Sequence, residues 1–259
     1  MFSPEDILRI TDHRPWPLPR GPWVMMQGWY DLLFAHWPLP VEQLRPLIPA
    51  PLKLQTFDGK AWLSVTPFHL TFQPRGLPLR LRCPELNCRT YVEHGGKAGI
   101  FFFSLDAGSR LAVWGARMLY LLPYFHADAT IGKQGGGIDY SLRRSGGKAA
   151  FRARYGPLRP STPTAGAPGT PGLGGGPRQS RSGTLEHWLT ERYCLYTHIG
   201  RRLLRGEIHH APWPLEDGEC ELRENSIPQA AGIRLPDIPP LLHFARGVDV
   251  LVWPLKAAV

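Results

Sequence analysis

Three groups of residues in this chain could do chemistry. Glu85, Asn87, Arg89 and Tyr91 are spaced two apart, and on a regular strand that spacing points all four side chains to one face. Arg117, Tyr120 and Tyr124 are spaced three and four apart, the separation that brings side chains together along one side of a helix. A guanidinium with two phenols can hold a carboxylate or an enolate-like anion. The third group is the pair His209-His210. Neighbours on a strand face opposite ways, so at most one imidazole enters a given site. No HxH, HExxH or CxxC spacing adds further ligands, so neither a metal nor a cofactor is expected.

Each group also has a purely structural reading. Arg117 suits an ion pair with Glu85 or Asp106, with the tyrosines in the core. The Glu85–Tyr91 face either meets solvent or lines the interior of a barrel, because barrel strands alternate inside and outside. A buried, hydrogen-bonded histidine packed by Trp213 accounts for His209 or His210. Glu191-Arg192 reads as a local charge pair or a capping group. Gly135-Gly136-Gly137 lacks the strand-then-helix setting and the lysine of a phosphate-binding loop.

The elements that must position these groups follow from composition and pattern. The chain has 259 residues, 43% hydrophobic and 20% charged, enough for a real core and too apolar for disorder. Gly 28 and Pro 28 make 56 punctuating residues, which fits many strands joined by turns and excludes a helical bundle or coiled coil. Lys+Arg 30 against Asp+Glu 21 gives a net charge of +9. Arg159, Arg178 and Arg181 lie in one stretch without acids, and the rest of the excess is spread along the chain. That distribution argues against nucleic acid as a partner. Cys83, Cys88, Cys194 and Cys220 make no disulfide framework at this length. Neither a signal peptide nor an apolar run long enough for a membrane span is legible, so a cytoplasmic protein without a membrane partner is expected.

Along the chain, Ser3-Pro4-Glu5-Asp6 is a helix start, with a capping hydroxyl, proline at the first helical position and acids in the first turn. The Trp-rich segment Trp16 to Trp37 alternates imperfectly but predicts a strand around Trp29–Phe34, and Pro40–Arg45 predicts a helical turn. Asp58-Gly59 is a hairpin signal. Strands are predicted over Ala61–Phe72, Asn87–Glu93 and Ala98–Leu105, then a helix over Leu111–Tyr124 ended by Pro123. Further strands are predicted at Ala127–Ile131, Ile138–Arg143, Ala149–Tyr155, Tyr193–Ile199, Glu207–His210, Glu219–Glu224 and Val248–Leu255. Thr184 caps a short helix, Leu185–Thr190, without a capping box. Residues 157–183 hold 13 Gly or Pro among 27 and predict a flexible surface insertion in an otherwise single domain spanning 1–259. The fold class expected is α+β, mainly antiparallel strands in a barrel-like or cone-like sheet with a few short helices.

Several runs then carry a resemblance. Trp29 to Trp37 (WYDLLFAHW), Pro84 to Val92 (PELNCRTYV), Phe102 to Ala107 (FFSLDA), Leu122-Pro123-Tyr124, Leu189 to Tyr196 (LTERYCLY) and Gly206 to Leu215 (GEIHHAPWPL) together resemble the YqjF-like family, also called domain of unknown function 2071. That family is similar to the acetoacetate-decarboxylase-like superfamily, and Pro40 to Leu54 resembles the superfamily's opening segment. The resemblance implies strands around a small-molecule cavity. In the decarboxylases a lysine amine forms a Schiff base with a keto acid, and its pKa must be lowered to do so. The lysines there follow a helix and a proline; the matching place here is Pro123-Tyr124-Phe125, which holds no amine.

Two functions of different class follow. In the first, Glu85, Asn87, Arg89, Arg117, Tyr120, Tyr124 and one of His209 and His210 line a cavity for a small organic anion or carbonyl compound, without Schiff-base chemistry. In the second, the aromatic N-terminal segment and the Gly/Pro stretch serve a protein partner or a homo-oligomer. A polar cavity supports the first, and an exposed tryptophan patch supports the second.

Overall fold

The computed structural model of the protein describes residues 3–109, 120–158 and 176–258. Arg117 and most of the helix predicted over Leu111–Tyr124 lie outside the described residues, as does the greater part of the Gly/Pro stretch.

The chain begins with α1 (Pro4–Arg9), where Ser3 and Asp6 form a reciprocal capping box. Next come β1 (Met25–Leu39) and α2 (Val41–Leu44), which tightens into a 3-10 turn at Arg45–Leu47. Then follow β2 (Lys53–Leu54), β3 (Ala61–Pro74), β4 (Leu81–His94) and β5 (Lys97–Ala107). The middle of the chain supplies β6 (Tyr124–Gln134), β7 (Gly137–Arg144), β8 (Ala150–Pro157) and α3 (Leu185–Thr190). The last part contains β9 (Cys194–Ile199), β10 (Arg202–His210), β11 (Leu215–Asn225), α4 (Ile227–Ala230), β12 (Leu241–Val252) and β13 (Lys256–Ala257). Thr184 caps α3 by accepting from the His187 amide.

Among the described residues all thirteen strands belong to one mixed sheet. The pairs are antiparallel except for β5–β6 and β5–β9, which are parallel. One circuit of pairings returns to its start: β1–β3, β3–β4, β4–β5, β5–β9, β9–β10, β10–β12 and β12–β1. Strands from both halves of the sequence therefore enclose one interior. Closure at β5–β9 depends on Gly99, where an added Cβ would lie 2.8 Å from the Cys194 carbonyl and 2.7 Å from its Sγ. Strands β6, β7, β8 and β11 extend the sheet along the other side.

Two apolar clusters occupy the two faces of this wall. On β4, Leu86, Cys88 and Val92 belong to the cluster that also holds Tyr140, Phe151 and Tyr155. Cys83 belongs to the inner cluster with Phe34, Phe68, Leu105, Tyr124 and Trp213. The two cysteines thus face opposite ways, as their five-residue separation predicts.

Asp58 and Gly59, both at positive φ, make the expected hairpin turn, with Phe57 and Lys60 paired antiparallel across it; β2 before it pairs with β4. One expectation needs correction: Tyr124 opens β6 instead of closing a helix. The imperfect alternation of the Trp-rich segment reflects an irregularity in the β1–β3 register between Tyr30 and Ala35, with Asp31 at φ 51°. An extra residue at a bulge reverses strand parity, so Met25, Gln27 and Trp29 face inward before it and Leu32 and Phe34 after it.

Candidate functional site

The closed circuit of strands surrounds a cavity of about 280 Å³. Its walls are aromatic and aliphatic, and its titratable and amide groups come from three places. Strand β4 points Glu85, Asn87 and Arg89 into it, the link between α3 and β9 supplies Arg192, and the end of β10 supplies His210. Tyr120 and Tyr124 also line it. The Glu85–Arg89 face is therefore interior, not solvent. Tyr91 continues the same face but lies past the cavity, where its hydroxyl is 2.5 Å from Ser64 Oγ. Ser64 in turn is 2.6 Å from His36 Nδ1.

The electrostatics of the site are set by burial. Glu85 is buried, and burial pushes its carboxyl up to about 8 despite the hydrogen bond that Tyr124 donates at 3.1 Å. At neutral pH this acid is protonated and carries no charge. Burial raises the Tyr124 phenol well above its ordinary value and Tyr120 to about 12. Asn87 Oδ1 accepts from the Thr66 hydroxyl.

Arg89 is buried over the Phe34 ring, 5.4 Å from its centroid. Burial lowers its pKa, and its neighbour Tyr91 opposes that shift. Among the described residues its Nε and Nη2 have no hydrogen-bond partner. Those two nitrogens form one edge of the guanidinium fork, which matches a carboxylate in bidentate fashion. The same edge of Arg144 shows what it does when filled: Nε and Nη2 hold Asp106 at 2.6 and 2.8 Å. Arg192 is held more fully, by Nε to the Trp188 carbonyl at 2.8 Å and Nη1 to Gln55 Oε1 at 2.6 Å. Among the described residues its Nη2 is unpartnered, and burial lowers its pKa to about 10. Both guanidiniums keep their charge at neutral pH.

The histidine pair separates as strand geometry requires. His210 faces the cavity, packs 5.3 Å from the Trp213 ring, and donates Nδ1–H to the Ala211 carbonyl at 2.7 Å. Burial holds it neutral, with its pKa near 4, which leaves Nε2 as the unprotonated nitrogen. His209 does not belong to the cavity, which corrects its place among the candidates. It points toward the N-terminal segment, with Nε2 2.9 Å from the Ile7 carbonyl and Arg14 Nη1 3.2 Å from Nδ1.

Glu191 and Arg192 do not pair with each other. Glu191 accepts from the Tyr193 hydroxyl and the Trp213 amide, while Arg192 caps the last carbonyls of α3 and turns into the cavity. Sequence reasoning missed that second role, because a residue between a helix end and a strand start has no periodicity to reveal its direction. Asp106, considered as a partner for Arg117, is taken by Arg144. Arg117 itself lies outside the described residues.

None of the six lysines lines the cavity. Lys53, Lys60, Lys148 and Lys256 are exposed. Lys97 pairs with Glu207 at 3.2 Å and Lys133 with Asp31 at 2.6 Å. Among the described residues no group of three or more His, Cys, Asp or Glu is placed to hold a metal, no tryptophan is exposed, and no helix is long and apolar enough to cross a membrane.

Comparison with known proteins agrees with this architecture. The chain is 46% identical over 244 residues to the uncharacterized protein YqjF of Bacillus subtilis (strain 168), covering 92% of this chain and 94% of that one. Among solved structures it is similar to the enduracididine biosynthesis enzyme MppR complexed with pyruvate, with a TM-score of 0.59, 13% identity, and coverage of 93% of this chain and 92% of that one. It is also similar to acetoacetate decarboxylase from Legionella pneumophila, with a TM-score of 0.57, 14% identity, and coverage of 98% and 95%. At such identities the two structures show the fold, which is the acetoacetate-decarboxylase-like one. Residues 26–249 match the family described as an uncharacterized conserved protein, domain of unknown function 2071, and the chain belongs to that family.

Proposed function

We propose that this protein binds a small organic anion, a carboxylate or a carbonyl compound bearing one, inside the strand-enclosed cavity. The observation that carries the reading is Arg89. Tyr91 gives this guanidinium a neutral hydrogen-bond partner, but among the described residues it has no ion pair, and a buried charge left so costs several kcal/mol; the acid on its own strand face within the cavity, Glu85, is protonated. A ligand carboxylate on the open Nε/Nη2 edge supplies the missing charge. Arg192 Nη2 adds positive potential, Tyr124 and Asn87 offer polar contacts, and His210 offers a neutral imidazole. Arg117 and Tyr120 join the proposal as further anion contacts. The apolar surround strengthens each polar contact.

The reading assigns the cavity no Schiff-base chemistry. An imine needs a lysine amine at the ligand, and none of the six lysines is among the residues that line the cavity. Acid–base chemistry on a bound carbonyl compound is compatible with a protonated Glu85 and an unprotonated His210.

Calorimetric titration with butanoate and pyruvate tests the proposal. Saturable binding is expected, weakened about tenfold to a hundredfold in Arg89→Gln, the usual worth of a charge-assisted hydrogen-bonded pair. Arg117→Ala run alongside separates the two guanidiniums. Equal affinity for native protein and Arg89→Gln overturns the role of Arg89.

A further inference from the structure

The cavity is far longer than a short keto acid needs, and its polarity is one-sided. On the β4 wall, Arg89 and Leu81 both line it, eight residues apart, roughly 26 Å at the rise of a strand. The two guanidiniums lie inward of Glu85, Arg89 four residues along β4 and Arg192 5.0 Å from the Tyr91 ring, while the neutral His210 stands beside Trp29, 6.1 Å between ring centroids. Outward of Glu85 the wall is apolar: Leu81 faces Phe72 and Cys83 faces Leu70 in register. The two polar groups on the adjoining stretch of β1 are turned on each other and on a sulfur. Trp29 Nε1–H donates to Gln27 Oε1 at 2.8 Å, and Gln27 Nε2 lies 3.3 Å from Met25 Sδ. At the far end Leu79 lines the cavity while being 46% exposed, so the apolar passage reaches solvent at the β3–β4 turn.

A short acid seated on Arg89 would leave this passage without an occupant, and its lining offers water almost no hydrogen-bond partner. We propose that the ligand is an amphipathic carboxylate. Its head sits on the Nε/Nη2 edge of Arg89, and its unbranched hydrocarbon chain runs along β4 past Phe68 and Leu70 toward Leu81 and Leu79. An extended chain advances about 1.3 Å per carbon–carbon bond, so a sixteen-carbon chain spans about 20 Å, most of the roughly 26 Å between Arg89 and Leu81. This inference rests on the carboxylate reading of Arg89 and adds the class of ligand to it.

The test is a series of straight-chain saturated carboxylates, from butanoate to hexadecanoate, titrated below their aggregation concentrations. Affinity is expected to rise about fourfold with each added methylene, the value of burying one such group. It should level off once the chain reaches the β3–β4 turn. Leu81→Glu places a charge on the partly exposed outer wall. It should weaken the long-chain acids at least tenfold and leave butanoate unchanged, whereas Arg89→Gln should weaken every member alike. Thermal melting of each variant confirms that it is folded. Affinity independent of chain length, with Arg89→Gln still weakening every acid, overturns the hydrocarbon passage and leaves the carboxylate site standing. Absence of binding by every member of the series overturns both.

Discussion

Tyr124 donates its hydroxyl to Glu85 Oε2 at 3.1 Å, and the pair sits wholly buried beside the cavity that Arg89 also enters. One phenol cannot offset the burial of a carboxylate, so Glu85 keeps its proton to about pH 8. The consequence is a cavity whose charge at neutral pH is positive although an acid lines it.

That protonation has a measurable signature. In the unfolded chain Glu85 loses its proton near pH 4.5, whereas in the folded protein it holds it to about 8. Between those values the folded state binds the extra proton, so this group's contribution to stability falls as pH rises through the window. Glu85→Gln removes the effect. Its melting temperature relative to the native protein should climb steadily from pH 5 to pH 8, corresponding to on the order of 2 to 4 kcal/mol at the upper end. Parallel melting curves across that range would show that Glu85 is ionised in the fold.

The same proton governs the ligand. Above about pH 8 Glu85 becomes a second negative charge facing the bound carboxylate. Affinity for butanoate should decline by up to tenfold per pH unit there, and Glu85→Gln should bind it with no such decline. Tyr124→Phe removes a hydrogen bond that favours the ionised form, so it should move the onset of the decline to higher pH.

Acid acts through the histidines. Burial lowers His209 and His210 to about 4 and His36 further still, so between pH 6.5 and 4 the unfolded chain binds protons that the folded protein does not. Stability should fall as pH drops through that window. Chemical denaturation at pH 7, 6 and 5 should give a slope corresponding to two or more protons taken up on unfolding. A slope near zero would contradict the buried, neutral state of these rings.

Two packing devices hold the cavity wall. Asp106 is fully buried against Arg144, and Arg144→Ala strands its charge, with an expected loss of about 3 to 5 kcal/mol. The double variant with Asp106→Asn should recover part of that loss. Gly99→Ala forces a methyl against the Cys194 carbonyl where β5 and β9 close the circuit. It should cost roughly 1 to 3 kcal/mol and reduce ligand binding along with stability. Urea denaturation measures both, and a neutral Gly99→Ala would show that the closure is slack.

Much of this architecture is legible in the residues. Turn chemistry at Asp58-Gly59, the capping serine and threonine, and the two-residue period of Glu85, Asn87 and Arg89 locate elements and shared faces from local rules alone. Which side of β4 is interior is not local information. It depends on β9 and β10 closing the circuit from a hundred residues away. The outward turn of His209 depends likewise on the N-terminal segment that meets it, and the reversal at Asp31 depends on a bulge whose sequence carries no glycine to mark it. Arg192 was hidden for a different reason. Its backbone-capping role explains the residue type so well that its second face, toward the cavity, leaves no separate trace.

The measurement closest to the central claim is the nitrogen-15 NMR spectrum of the arginine side chains during titration with a carboxylate. Arg89 Nε–H, without a hydrogen-bond partner among the described residues, should shift strongly downfield as butanoate saturates the site. That resonance should be absent from the spectrum of Arg89→Gln. Saturation of the protein with no movement of the Arg89 Nε–H signal would contradict the account.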